Sequence, residues 1–140
     1  MLKVFRSMLA DGGKPNVGSE SKMLGVRVAS NPQADIPVDG NGDVHPATGG
    51  MSVAPDWRKL PSFLIPKRLK PLIPDACGSN NLVFWSMGDG PFEENDLTDK
   101  LRFRPDPDDP ANHGFVEPNA LMIIDHFQKA LAETRDQWQK

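Results

Sequence analysis

Apolar residues fall in short groups along this chain, separated by long polar stretches rich in glycine and proline. Residues 2–9 carry Leu2, Val4 and Phe5 and predict a short strand. Residues 11–22 are rich in Gly, Ser, Asn and Lys and predict a loop. Residues 23–28, Met-Leu-Gly-Val-Arg-Val, alternate well enough to predict a second strand. From 29 to 50 Pro, Gly, Asn and Asp recur, beginning with Asn31-Pro32. Here Asp39-Gly40-Asn41-Gly42 predicts a tight turn, because these residue types tolerate positive φ. Residues 43–46 predict a brief extended piece, and Met51-Ser52-Val53-Ala54 opens a strand after Gly49-Gly50. Residues 56–60 predict one helical turn. Pro61, Pro66, Pro71 and Pro74 bar a helix interior or a central strand, so 61–74 predicts an ordered surface loop. Residues 81–87, 101–104 and 113–117 predict three more strands, the last ended by Pro118. One long helix is predicted from near Asn119 or Met122 to about Gln137. Ile124, Phe127, Leu131 and Trp138 repeat there at helical spacing, and Ile123 and Ala130 widen the stripe. Asp125 suits the positive end of such a helix, and Arg135 and Lys140 the negative end.

These elements describe an α+β class, and 140 residues bound it to one domain over 1–140. Composition narrows the picture. Twelve glycines and fourteen prolines make about 19% of the chain, against about 12% ordinarily, so the core is small and joined by much irregular chain. A net charge of −3 argues against general nucleic-acid binding, though not against a local anion site. No apolar run approaches the roughly 20 residues that span a bilayer, so no membrane association is expected. The first residues, interrupted by Arg6, do not read as a signal peptide. Cys77 is the single cysteine; it cannot form an internal disulfide and reads as an incidental or structural thiol in a reducing cytoplasm. His45, His113 and His126 are far apart and lack metal-ligand spacing, so no metal is expected.

Three places draw attention on chemical grounds. Arg6 sits among apolar residues, where a guanidinium is costly unless it pairs or binds an anion; by simple alternation it would instead point to solvent. Gly49 and Gly50 permit close backbone approach of a ligand, with the Ser52 hydroxyl nearby; a plain glycine turn into a strand fits as well. Glu117 ends an apolar strand between Val116 and Pro118, where a carboxylate is either partly buried or simply at the surface. Lys67, Arg68 and Lys70 read as a solvated basic loop or as phosphate contacts. The chain has no P-loop, GxGxxG or GxSxG motif.

The order of the pieces carries more than any one of them. Val4-Phe5-Arg6, then Gly49-Gly50-Met51-Ser52-Val53-Ala54, then Val116-Glu117-Pro118 through Phe127-Gln128 to Thr134-Arg135-Asp136-Gln137-Trp138 resembles the small type VI secretion effector toxins with an ADP-ribosyltransferase-like fold. The resemblance covers most of the chain and is weakest over 12–22 and 69–92. It implies a compact domain of two small, mostly antiparallel sheets with a C-terminal helix. It implies NAD as substrate and a site in which an early strand supplies Arg6, a middle strand Ser52 and a late strand Glu117. Met51-Ser52-Val53 stands where one branch of such enzymes has Ser-Thr-Ser.

In that reading Glu117 accepts a hydrogen bond from the ribose hydroxyl and stabilises the positive charge that develops as the nicotinamide–ribose bond breaks. Arg6 holds pyrophosphate or ribose, Ser52 orients Glu117 or the ribose, and Gly49 and Gly50 let backbone amides approach. Trp57 or Trp85 stacks on a ring or packs in the core. Such a toxin acts in the cytoplasm of a target cell, either transferring ADP-ribose to an acceptor macromolecule that the sequence does not name or hydrolysing NAD as a glycohydrolase. The resemblance also implies a cognate immunity protein as partner. The competing expectation is a non-catalytic binding module that retains the fold without turnover.

Overall fold

The computed structural model describes residues 3–28 and 34–140. Strand β1 (Val4–Asp11) runs into Gly12 and Gly13, whose positive φ angles reverse the chain into β2 (Lys14–Pro15). On its other side β1 pairs antiparallel with β5 (Leu82–Met87), in register from Val4–Met87 to Leu9–Leu82, giving the order β2-β1-β5. A second antiparallel sheet has the order β4-β8-β7-β6, from β4 (Met51–Val53), β8 (Gly114–Pro118), β7 (Leu101–Pro105) and β6 (Asn95–Asp96). A two-stranded ladder joins β3 (Asp43–Val44) to β9 (Met122–Ile123), and helix α1 (Ile124–Ala132) follows directly.

The two larger sheets meet where Phe5 and Ala54 exchange both backbone hydrogen bonds, at 2.8 and 2.9 Å. The main core lies between Val4, Met8, Trp85 and Met87 of the first sheet, Met51, Val53, Phe103 and Val116 of the second, and Phe127, Leu131 and Trp138. A smaller apolar cluster of Ala54, Leu60, Ile65 and Ala76 covers Phe84, on the opposite face of β5 from Trp85. It sits under three successive 3-10 turns, Trp57–Lys59, Ser62–Leu64 and Lys67–Leu69, which the prolines at 61 and 66 separate. The architecture is α+β, with small antiparallel sheets and one C-terminal helix. Among the described residues there are three sheets where two were expected.

Several local expectations change. The loop at 11–22 contains β2, and β6 had no forerunner in the pattern. Residues 23–28 do not form a ladder: Leu24 makes an isolated bridge to Val17, while the amide and carbonyl of Val26 are both taken by the Gln128 side chain, at 3.0 and 2.8 Å. Gly25, at φ 154°, packs against the Gly18 carbonyl and fixes that path. The predicted long helix is only Ile124–Ala132. Met122 and Ile123 are drawn into the ladder with Val44 and Asp43, and after Glu133 the chain tightens into a 3-10 turn, Arg135–Gln137. Pro118 lies inside β8 rather than after it. The Asn119 amide bonds Lys100 O at 3.0 Å, so the Pro118 nitrogen faces the β4 side, beyond the last β4–β8 pair, Met51–Val116. Asn31-Pro32 and Leu2 lie outside the described residues.

Candidate functional site

Beyond the Phe5–Ala54 bridge β1 and β4 diverge, and a pocket of about 110 Å³ opens there. Arg6 and Ser7 of β1 line it together with Ser52 and Val53 of β4. Lys59 and Phe63, from the proline-rich turns, form part of its wall. Arg6 is 4% exposed and shares a strand face with the buried Val4 and Met8, so simple alternation toward solvent does not hold. Its guanidinium donates through Nη1 to Ser52 O at 2.7 Å, through Nη2 to Ser21 O and Met23 O at 3.1 and 3.0 Å, and through Nε to Met23 O at 3.3 Å. All three acceptors are neutral carbonyls. The fifth N–H, on Nη1, has no partner among the described residues. Burial pushes the Arg6 pKa down to about 10, opposed by the Asp35 carboxylate and reinforced by Arg27, so the group is cationic at neutral pH. Asp35 is itself tied to Arg27, whose Nη2 lies 2.9 Å from Oδ1 and whose backbone amide lies 2.7 Å from Oδ2. The pocket is thus lined by a buried cation with no carboxylate bonded to it among the described residues.

Ser52 is half-buried, and no group among the described residues engages its hydroxyl. The structure therefore brings Arg6 and Ser52 together. Glu117 is placed differently. Its carboxylate is fully buried, accepts from Arg102 Nε at 3.0 Å and Arg104 Nε at 2.5 Å, and takes the Ala47 amide at 2.9 Å. Pairing of Arg102 with Glu117 and of Arg104 with Phe115 sets both arginines beside it on one face of the sheet. Ala47 has φ 64°, a backbone strain of roughly 1 kcal/mol that the bond to Glu117 helps hold. Glu117 does not line the Arg6 pocket.

Gly49 and Gly50 are buried against backbone. Gly49 faces the Asp35 carbonyl, Gly50 faces the Val116 carbonyl, and the Gly50 amide donates to Asp35 O at 3.0 Å. Their close approach is to protein rather than to open space. Trp57 stacks on Phe84 at 5.0 Å with Arg58 over its ring, and Trp85 is buried and donates to Met8 O, so both tryptophans pack within the protein. Cys77 is exposed and in no disulfide. Arg68 is bound to Asn80 through its backbone and side chain, which pins the basic segment to the following turn.

Among the pocket residues that the sequence did not single out for this site is His113, weighed above only as a metal ligand. His113 lines the pocket, and its Nδ1 lies 2.8 Å from Asp106 Oδ2. That hydrogen bond is the main cause of the lowered Asp106 pKa, with the Asp108 amide contributing. The signal available in the sequence was the turn cluster between the two residues, which brings them together at the base of the β7–β8 hairpin. His45 makes a similar pair with Asp39 at 2.8 Å, at the surface. Among the described residues no group of three His, Cys, Asp or Glu side chains gathers as metal ligands, and no helix is long and apolar enough to cross a membrane. No protein-family model and no curated protein matches the chain.

Proposed function

We propose that the Arg6–Ser52 pocket is the binding site for one end of NAD, in an ADP-ribosyltransferase-like toxin domain that consumes this substrate in the cytoplasm of a target cell. One observation carries the reading: the pocket is lined by a buried guanidinium, charged at neutral pH, that among the described residues is bonded only to neutral carbonyls. Such a group favours an electron-rich or anionic ligand. At about 110 Å³ the pocket is smaller than the about 300–1,000 Å³ of drug-sized sites, so it suits a ring or a phosphate, with the remainder of the dinucleotide lying over the rim near Arg27 and Lys59. The order Arg6, Ser52, Glu117 supports the transferase side of the reading.

A second reading has its own support. With both carboxylate oxygens engaged by arginines and no place at the pocket, Glu117 is better arranged to hold the sheet than to stabilise a ribosyl cation. That favours a binding module without turnover. Purified protein titrated with NAD by calorimetry, followed by assay of nicotinamide release, tests both. Binding with release supports the enzyme, and binding without release supports the module. No heat of binding, in protein shown to be folded, overturns the pocket as an NAD site.

A further inference from the structure

His113 is held more firmly than a half-exposed histidine needs to be. Its backbone amide donates to Asp109 O at 3.0 Å, its carbonyl accepts from the Asp106 amide at 2.9 Å, and the Phe115 ring meets the imidazole edge-on at 4.9 Å. Asp106 is fixed in turn, since its Oδ1 accepts the Asp108 amide at 2.9 Å. A carboxylate only accepts, so the 2.8 Å contact puts a proton on Nδ1, and the neutral imidazole then carries its lone pair on Nε2. Nε2 has no partner among the described residues. Ser52 pairs with Phe115 across β4 and β8, and His113 stands two residues before Phe115 on the same face. An imidazole with its tautomer set and its second nitrogen open thus shares a pocket with a free hydroxyl and a buried cation.

We propose that His113, oriented by Asp106, is the proton acceptor of this pocket, and that the group transferred to is water. The proposal rests on the pocket being an NAD site. In the step, the oxygen of a water bonds to ribose C1′ as one of its protons passes to His113 Nε2. The C1′–nitrogen bond breaks and its electron pair goes to the pyridinium nitrogen, which leaves as neutral nicotinamide. His113 then returns the proton to solvent, so NAD and water give ADP-ribose, nicotinamide and a proton. Arg6, fixed on its carbonyls, holds the oxygen-rich side of the substrate and is not itself a proton carrier at neutral pH. The charged groups around the imidazole are Asp106 by direct contact, Arg104 over the Phe115 ring at 5.2 Å, and Arg6, Arg27, Asp35 and Lys59 around the pocket.

The test uses the whole chain and two variants, His113→Gln and Asp106→Asn, each first shown to be folded by its thermal transition. General-base catalysis supplies about 10²–10⁴-fold. His113→Gln is therefore expected to lower kcat for nicotinamide release at least about 100-fold, while the calorimetric Kd for NAD changes little. The wild-type rate is expected to rise with pH on a single acid limb. That limb disappears in His113→Gln. In Asp106→Asn kcat is expected to fall as well, because the Nδ1 proton loses the acceptor that orients the ring. A folded His113→Gln with wild-type turnover and an unchanged pH profile overturns the assignment and leaves the NAD site standing. Wild-type protein that binds NAD without releasing nicotinamide overturns the proton-acceptor role and leaves the binding module. Absence of NAD binding in the wild type overturns the site and the role together.

Discussion

Arg6 and Glu117 are both charges taken out of water, and each is stabilised by a different kind of partner. Arg6 satisfies three backbone carbonyls, those of Ser21, Met23 and Ser52, at the point where β1 and β4 part. A lysine carries the same charge but cannot span three acceptors in the planar fork of a guanidinium. Each stranded buried carbonyl costs about 1–3 kcal/mol. Arg6→Lys is thus expected to lose at least about 2 kcal/mol of stability in urea denaturation, and to weaken NAD binding as well. Wild-type stability in this variant would mean that water replaces the lost donors. Glu117→Gln leaves Arg102 and Arg104 side by side without their counter-ion, and breaking a buried pair in this way costs about 3–5 kcal/mol. Loss of nicotinamide release on changing Glu117 would therefore speak for catalysis only if the variant retains its denaturation midpoint. Arg6, Ser52 and Glu117 stood out in the sequence as candidate chemistry, with Glu117 read as either partly buried or at the surface; the structure buries it fully. What the sequence did not carry was cross-strand register, which sets Arg102 opposite Glu117 and His113 beside the pocket.

The β7–β8 hairpin is the element on which both the Glu117 cluster and the His113–Asp106 pair depend. Its closing turn is held by Asp106, whose carboxyl titrates below 3.8 because it accepts from His113 and from the Asp108 amide. The linkage has a definite sign. A carboxyl whose folded pKa is depressed contributes stability in full above its unfolded value, and loses it as pH falls through the folded value. The protein is expected to lose stability as pH drops below about 4, and Asp106→Asn should flatten part of that fall when urea midpoints are compared across the acid range. An unchanged acid profile in the variant would show that the pair does not hold the turn. Elements whose order rests on local pattern, such as the strands at 81–87 and 101–104 and the turn at 39–42, were legible in advance. The helix was overextended because its apolar stripe runs on through a β-ladder at one end and a 3-10 turn at the other, and burial spacing alone does not separate these. Residues 23–28 read as a strand because their apolar positions alternate, but in the structure the Gln128 side chain, about a hundred residues away, supplies at Val26 the hydrogen bonds that a neighbouring strand would have made.

At the scale of the whole molecule, the C-terminal segment fastens the first sheet at both of its edges. On the β2 side, Arg135 donates to Pro15 O at 2.9 Å and to Asp11 O, while Lys14 Nζ donates to the carbonyls of Asp136 and Trp138 at 3.0 and 2.9 Å. On the β5 side, Gln139 and Ser86 exchange backbone bonds at 2.7 and 2.9 Å, adding a residue of ladder to an otherwise open edge. Trp138 ties the two sides to the core. Its ring is fully buried, and its indole N–H bonds Thr134 Oγ1 at 3.0 Å, which in turn donates to Leu131 O at 2.7 Å. The motif from Thr134 to Trp138 thus has a structural explanation in this fold. Removing the indole empties a large volume of the core and loosens both edges together, so Trp138→Ala is expected to cost about 3–5 kcal/mol. Trp138→Phe keeps much of the apolar contact and should cost less. Because the pocket lies where the first sheet meets the second, the effect should reach it without any contact from Trp138. Hydrogen exchange in Trp138→Ala is expected to rise first along β1 and β5, and NAD affinity to fall with it, while β7 and β8 keep more of their protection. Uniform loss of protection across both sheets would instead show that they open as one cooperative unit.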